Sequence, residues 1–562
     1  MLVKLHLWFS LAAAAVAAPS KDTYDYIVVG GGTAGVAVAA RLSEGLPYAN
    51  ILLIEAGPAV DDEPKINIPG MKGSTLGTKY DWNFTTVPQA GANNRVWPIN
   101  RGKVLGGSSA LNLMTYDRAA VAEYDAWEAL GNPGWNWKTM IRAMMKSETF
   151  TGKNTATYGS KGVGDSGPVK AVVNRIIPKH QESWIPTLNK LGVRKNLESL
   201  GGNPLGVMYQ PSSIDPSNYN RSYSANAYTE ISGSNLEILA DTTVAKINVS
   251  GPAAKKKAIA TGVTLQDGTY VKARREVILS AGSIQSPGLL EQSGIGSKPV
   301  LSAAGIKQIV DLPGVGENLQ DHLRVMTSYQ LKPQFLSFDA LRSNATFAAE
   351  QLALWNAGKR SLKVDKKKLD FLKDSSVPQV EVIFSDGYTG VKGYPAATSP
   401  LFGKGFVTLI GVVMHPLSRG SVHINPSDPA GKPTINPNYL SNSHDVEAVL
   451  QTVKYNRKIA NTEPMRSIWE DEYEPGLDVK TDAQIKDYVL RTTLSIFHPS
   501  GTCAMLPKAD GGVVDAKLKV YGIENLRVVD ASVIPLLISA HIQTAVYGIA
   551  EIAAELIIKD AK

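Results

Sequence analysis

A chain of 562 residues is too long for one compact core, so at least two domains are expected. With 43% hydrophobic and 19% charged residues it has the balance of a globular protein, which excludes a disordered or fibrous chain. The net charge of +7 is scattered apart from runs at Lys255–Lys257 and Lys366–Lys368, so nothing marks a nucleic-acid module and no nucleic-acid partner is expected.

The first segment reads as a secretion signal. Lys4 supplies positive charge, Leu5 to Val16 form a short apolar core, and Ala15-Val16-Ala17 offer small residues at the cut. The apolar run is too short for a comfortable membrane span. Residues 1–18 are therefore expected to be a signal peptide and the mature protein to be secreted, with no membrane partner after its removal.

Next comes a glycine run between a predicted strand and helix, Gly30-Gly31-Gly32-Thr33-Ala34-Gly35. It follows the apolar stretch Tyr26–Val29 and opens an Ala/Val-rich helical stretch from Val36 to Leu42 that stops near Gly45. A second apolar stretch, Ile51 to Ile54, ends in Glu55. Strand, Gly-x-Gly-x-x-Gly, helix, strand, acid is the dinucleotide fingerprint in its confirming context. Gly30 allows the tight turn, Gly32 the approach of pyrophosphate, and Gly35 close helix–strand packing. Glu55 is placed to accept from ribose hydroxyls. The spacing alone does not say which dinucleotide binds.

Later elements repeat this style. Glu276–Ser280 reads as a buried strand followed by a short helix around Leu289. Leu526–Val529 reads as a strand ending in Asp530, and His541 to Ile558 as a helix with Val546, Ile549, Ala553 and Leu556 on one face. Between these lie stretches of different character, including the strand-like run Phe406 to Met414. The expected cofactor domain is discontinuous: residues 22–134, 225–310 and 491–562, with a substrate domain formed by 135–224 and 311–490. The sequons at Asn83, Asn220, Asn248 and Asn344 fit a glycoprotein. Cys503 is the only cysteine, so no intramolecular disulfide forms, and it reads as a small buried hydrophobe.

Three further segments narrow the identity. They are Arg101-Gly102-Lys103-Val104-Leu105-Gly106-Gly107-Ser108-Ser109-Ala110-Leu111-Asn112, then Gly282 to Gly296 with its Ser286-Pro287-Gly288 core, then Phe497-His498-Pro499-Ser500-Gly501-Thr502-Cys503-Ala504-Met505 followed at a distance by His541. Together with the fingerprint these resemble the glucose–methanol–choline (GMC) oxidoreductases, from about residue 24 to 558. Asp321-His322 and Pro416–Gly420 also look like family landmarks. The resemblance implies an α/β protein with a Rossmann-like FAD-binding domain and a second α+β substrate domain built around an antiparallel sheet.

The resemblance also implies how residues divide. Thr33, Ala34, Glu55 and Ala56 would hold the adenosine half of FAD. Ser108, Asn112, Leu113 and Met114 would lie along the pyrophosphate and flavin, and Val244 would meet the adenine. Asp530, Ala531, Gln543 and Thr544 would approach the ribityl and pyrimidine end, with Trp82 packed near the flavin. No metal is called for.

His498 aligns with the family's principal base and His541 with the second position, which carries His or Asn. A neutral imidazole suits removal of a hydroxyl proton because its reference pKa, about 6.5, lies near working pH. The expected activity is FAD-dependent oxidation of an aryl, allylic or sugar alcohol to a carbonyl, with O2 or a quinone-type acceptor reoxidising the flavin, in a monomer or homodimer. The alternative is a non-redox FAD-containing lyase or cyclase of secondary metabolism.

Overall fold

The computed structural model describes residues 18–174, 177–251, 257–356 and 377–562. Residues 1–17 of the expected signal peptide, Lys366–Lys368, and Lys255 and Lys256 lie outside the described residues. The main elements, in chain order, begin with β1 (Thr23–Val29), α1 (Thr33–Gly45) and β2 (Ile51–Ile54). After α2 (Trp137–Lys146) come β3 (Leu236–Leu239), β4 (Val244–Ser250), β5 (Ile259–Leu265), β6 (Tyr270–Leu279) and α3 (Gly282–Gln292). Then follow β7 (Leu323–Leu331), β8 (Val380–Asp386), β9 (Phe406–Val413), α4 (Ser443–Ala460), β10 (Trp469–Glu474) and β11 (Leu494–Ser495). β12 (Leu526–Val528) and α5 (Gln543–Ala561) complete the series.

The first sheet has the order β3-β2-β1-β6-β5-β4, with β12 beside the second half of β6. β1, β2, β3, β6 and β12 run parallel, β5 is antiparallel to β6, and β4 is antiparallel to β5. Ile51–Ile54 is buried along its whole length, as a parallel strand covered on both faces must be. α1 is built from small residues and packs closely against α5, which packs in turn on α2. The register sets what matters for function. Val29 sits opposite both Ile54 and Leu279, Ile54 opposite Leu239, and Leu279 opposite Val528. Five parallel strands therefore end level, and the loops that follow them open on one crevice, where doubly wound sheets bind ligands.

The second sheet is antiparallel, in the order β8-β9-β7-β10, with β11 also on β7. Period-two alternation divides its faces. Leu323, Val325, Leu409 and Val413 pack under α4 with Val449, Val453 and Ile459. Met326, Ile410, Val412 and Met414 form the opposite face. Several side chains of that face look into the cavity described below.

One boundary differs from expectation. α5 starts at Gln543 rather than His541. The His541 amide donates to Asp117 Oδ1 at 2.9 Å, and the neighbouring Ser539 amide donates to Glu123 at 2.6 Å. These carboxylates hold the approach segment, and the first helical bond is Val546 to the Ile542 carbonyl.

Candidate active site

A cavity of about 990 Å³ runs from the fingerprint loop to the second sheet. Gly30, Gly32, Thr33, Ala34, Glu55, Ala56, Trp82, Ser108, Asn112, Leu113, Val244, Asp530, Ala531, Gln543, His498 and His541 all line it. Gly35, Met114 and Thr544 do not, and each has a packing reason. A Cβ on Gly35 would stand 1.9 Å from the Gly30 carbonyl oxygen, so this glycine is spent on helix–strand contact. Met114 is buried behind the wall at φ 65°, with its amide bonded to Asn112 Oδ1. The Thr544 hydroxyl donates to the Asp117 carbonyl.

Two acids expected to face the cofactor are partly engaged by the protein itself. Glu55 accepts from the Gly31 and Gly57 amides, both at 2.8 Å. Burial nonetheless raises its carboxyl to about 7 against those bonds. Asp530 accepts from the Gly282 amide, the Ser286 hydroxyl and the Ser532 amide, tying the start of α3 to the end of β12.

The residues present fit a flavin dinucleotide. A Cβ added to Gly32 would meet only the Ser280 carbonyl, 3.9 Å away, so the space in front of this glycine is open. No side chain caps α1 or α5, which leaves first-turn amides of both helices for a ligand. Gln543 Oε1 is bonded to Asn112 Nδ2 at 2.6 Å, while its Nε2 is buried without a partner on the cavity wall.

At the other end the two expected histidines meet. The His498 and His541 rings are 4.7 Å apart between centroids at an interplanar angle of 82°. Their supports are different. His498 is held by its amide on Asp321 Oδ1 at 2.8 Å, and Asp321 also accepts from the Ser495 and Tyr439 hydroxyls. The preceding residue, Phe497, has φ 67°, a strained value for an aromatic residue. It is fixed from both sides: its amide donates to Ser495 Oγ at 2.7 Å and its carbonyl accepts from Arg101 at 2.6 Å.

His498 Nδ1 lies 2.8 Å from Nδ1 of His322, which is fully buried. Burial drives His322 down to about 3, so it is neutral. The Met414 and Ile538 carbonyls lie against its ring as acceptors for a ring proton. With Nδ1 turned to His498, that proton belongs on Nε2, although neither carbonyl meets strict hydrogen-bond geometry. His322 Nδ1 is then an acceptor, His498 Nδ1 carries the hydrogen, and His498 Nε2 keeps its lone pair. Burial, and next the charge of His541, hold His498 well below the usual histidine range.

His541 is driven the other way. Its Nε2 stands 3.3 Å from Glu381 Oε2, an ion pair by distance though poorly angled for a hydrogen bond. Burial would lower its pKa, but Glu381 and then Asp117 more than offset this and hold it at about 9. One histidine is thus neutral and the other cationic at working pH. Ligand atoms of Asp117, Glu381 and His541 lie within 4.8 Å of one another, close enough for a cation.

Family models described as GMC oxidoreductase match residues 24–324 and 416–550. The chain belongs to the GMC oxidoreductase family. It is 36% identical to the GMC oxidoreductase family protein Mala s 12 of Malassezia sympodialis, over 95% of this chain and 92% of that protein. It also resembles the structure of an FAD-dependent oxidoreductase from Chaetomium thermophilum, with a TM-score of 0.82, 30% identity and coverage of 96% of this chain and 99% of that one. The structure of a fungal aryl-alcohol oxidase matches at a TM-score of 0.80 and 28% identity, over 96% of this chain and all of the other (100%). This GMC oxidoreductase is an FAD-dependent enzyme of mixed α/β fold.

The family motifs led to His498 and His541 but not to what distinguishes them. His322 was visible as half of a landmark, without its contact to His498. Asp117 and Glu381 carried no signal in the sequence beyond being acids in otherwise apolar or strand-like stretches. Arg324, near the start of β7, was equally silent. Among the described residues no helix is long and apolar enough to cross a membrane.

Proposed function

We propose that this enzyme oxidises an alcohol, of aryl, allylic or sugar type, to the carbonyl, with His498 as the base. The observation that supports this is the His322–His498 contact, which is consistent with a neutral His498 that keeps its lone pair on Nε2. The hydroxyl proton of the substrate passes to that nitrogen. Bound FAD supplies the two-electron acceptor for the hydride released from the carbinol carbon. His541, charged by Glu381 and Asp117, donates a hydrogen bond to the substrate oxygen and stabilises the negative charge that grows there as the proton leaves. The second sheet closes the cavity with Ile383, Ile410 and Met414, an apolar floor that keeps water from the reacting carbon. O2 or a quinone-type acceptor would take up the electrons of the oxidised alcohol, and the N-terminal segment exports the enzyme from the cell.

The test is anaerobic stopped-flow mixing of the purified yellow protein with benzyl alcohol, cinnamyl alcohol and glucose. Bleaching of the flavin band by at least one of these alcohols is expected, with stoichiometric aldehyde or lactone. If no alcohol in a wider panel bleaches the flavin while a substrate is still turned over, the lyase or cyclase reading replaces this one.

A further inference from the structure

Arg324 is a partly buried arginine on the cavity wall. Several other arginines are answered. Arg118 pairs with Glu148 at 2.7 Å, Arg527 with Glu276 at 2.8 Å, Arg221 donates to the Ile66 and Ser109 carbonyls, and Arg101 to those of Asn100 and Phe497. Arg324 makes no hydrogen bond or ion pair with any described residue, and its Nε is buried without an acceptor. A charge drawn partly out of water without a direct partner is costly, and proteins seldom keep one without use. Its guanidinium lines the cavity and stacks on the ring of Phe497, 5.6 Å from the centroid, one residue before His498. Burial lowers its pKa to about 10, which leaves it charged at neutral pH.

The sheet register says what this charge faces. Arg324 on β7 is opposite Val412 on β9, and Val412 is opposite Glu381 on β8. The three side chains share one face, which places Arg324 and Glu381 two strands, roughly 10 Å, apart. Glu381 is matched by His541 at 3.3 Å, whereas Arg324 feels only the more distant charge of Asp321, which already takes the His498 amide and the Ser495 and Tyr439 hydroxyls. The cavity therefore holds the histidine pair near Glu381 and, two strands away, a guanidinium with no direct partner. Apolar side chains lie alongside.

We propose that Arg324 binds an anionic group of the substrate, a carboxylate, so that the alcohol oxidised here carries an acidic substituent. This rests on the alcohol-oxidation reading above. A planar guanidinium offers parallel N–H donors that fit a carboxylate or phosphate and gain nothing from a neutral hydroxyl or amide. Arg324 is then a specificity residue: it sets which alcohol is held, while His498 and His541 act on the carbinol.

The test uses the flavin-loaded enzyme and ligands that cannot be oxidised, so its outcome does not depend on whether alcohols bleach the flavin. Calorimetric titration with benzoate and with benzamide is expected to show benzoate binding of order tenfold tighter, the scale of a charge-assisted hydrogen bond. Arg324→Met should erase that preference and leave benzamide binding unchanged. Arg324→Gln, which keeps length and polarity, covers the case in which the methionine variant fails to fold. Equal binding of the two ligands by the unaltered enzyme overturns the proposal, and so does a benzoate preference that survives in both variants. Phenyl phosphate separates the sources of the anion: binding tenfold tighter than benzoate would overturn the carboxylate assignment. A shift in flavin spectrum or potential in Arg324→Met with the benzoate preference intact would assign Arg324 to the cofactor instead and likewise overturn it.

Discussion

The two ends of the cavity are built from different materials. The nucleotide end is mostly backbone: level strand ends, uncapped helix termini, and glycines whose missing side chains are the working feature. The substrate end is side chains, carried by loops and by one face of an antiparallel sheet, and balanced against one another in charge. Backbone sites tolerate few residue types and so leave a fixed spacing in the sequence. Side-chain sites can be assembled from almost anywhere, and their meaning lies in which residues meet.

The sharpest way to break this contrast lies within the fingerprint itself. Gly35→Val would drive a Cβ to 1.9 Å from the Gly30 carbonyl oxygen, a backbone atom that cannot move without carrying β1 with it. No folded protein is expected, as judged by circular dichroism and solubility. Gly32→Val places its Cβ in open space, with only the Ser280 carbonyl within 4 Å, at 3.9 Å. That variant should fold with normal secondary structure and emerge colourless, because the side chain occupies room that the pyrophosphate needs. A fully yellow Gly32→Val protein would show that the open space is not the cofactor's.

The next largest effect belongs to the other end. His498→Ala should slow flavin reduction by roughly 10²- to 10⁴-fold, the range for a positioned general base, with flavin still bound. Stopped-flow rates with benzyl alcohol measure it. A variant that reduces its flavin at near-normal speed would remove His498 from the chemistry and leave the His322 contact without a function.

The pH profile sharpens the contrast between the histidines. His541 is raised to about 9, so its donor form is present below that pH and is lost as pH rises through it. His498 is lowered well below 6.5, so its base form persists into mild acid. With neutral benzyl alcohol, kcat/KM should be level from about pH 6 to 8 and fall above about 9. Glu381→Gln removes the main charge that raises His541, and the alkaline limb should move down by a unit or more, with at least about twofold loss at pH 8. An unmoved limb would mean that Glu381 does not set the charge of its neighbour.

What could be read from the sequence follows the same division. Gly30, Gly32 and Glu55 were legible because a turn, an open space and a strand end fall at fixed intervals along twenty-odd residues. The strands Tyr26–Val29, Ile51–Ile54 and Phe406–Met414 were legible from apolar runs, with ends shifted by a few residues at most. The sheet order was not, because β6 and β12 are brought together by register across more than two hundred residues. Arg324 and Glu381 were invisible for the same reason. Each is one charged residue in a strand, and only the pairing of three strands places both on the cavity face. The start of α5 was misplaced because Asp117, distant in sequence, takes the His541 amide.

The smallest predicted effect marks where one building style gives way to the other. Cys503 stands five residues after His498, yet it belongs to the nucleotide side. It is fully buried in the core beneath the first sheet, its amide donates to the Ser532 carbonyl at 2.9 Å, and burial pushes its thiol well above the usual range. A thiol in that setting is neither a nucleophile nor an easily alkylated group. Cys503→Ala should therefore cost about 1 kcal/mol of stability for the sulfur-sized void and leave the rate of flavin reduction within twofold. Denaturant unfolding and stopped-flow reduction on the same preparation measure both. A large rate loss without a stability loss would extend the side-chain-built site past Gly501 and give the thiol a part in catalysis. The expected reverse would confine that site to the turn ending at His498, where Ser495, Arg101 and Asp321 hold the backbone.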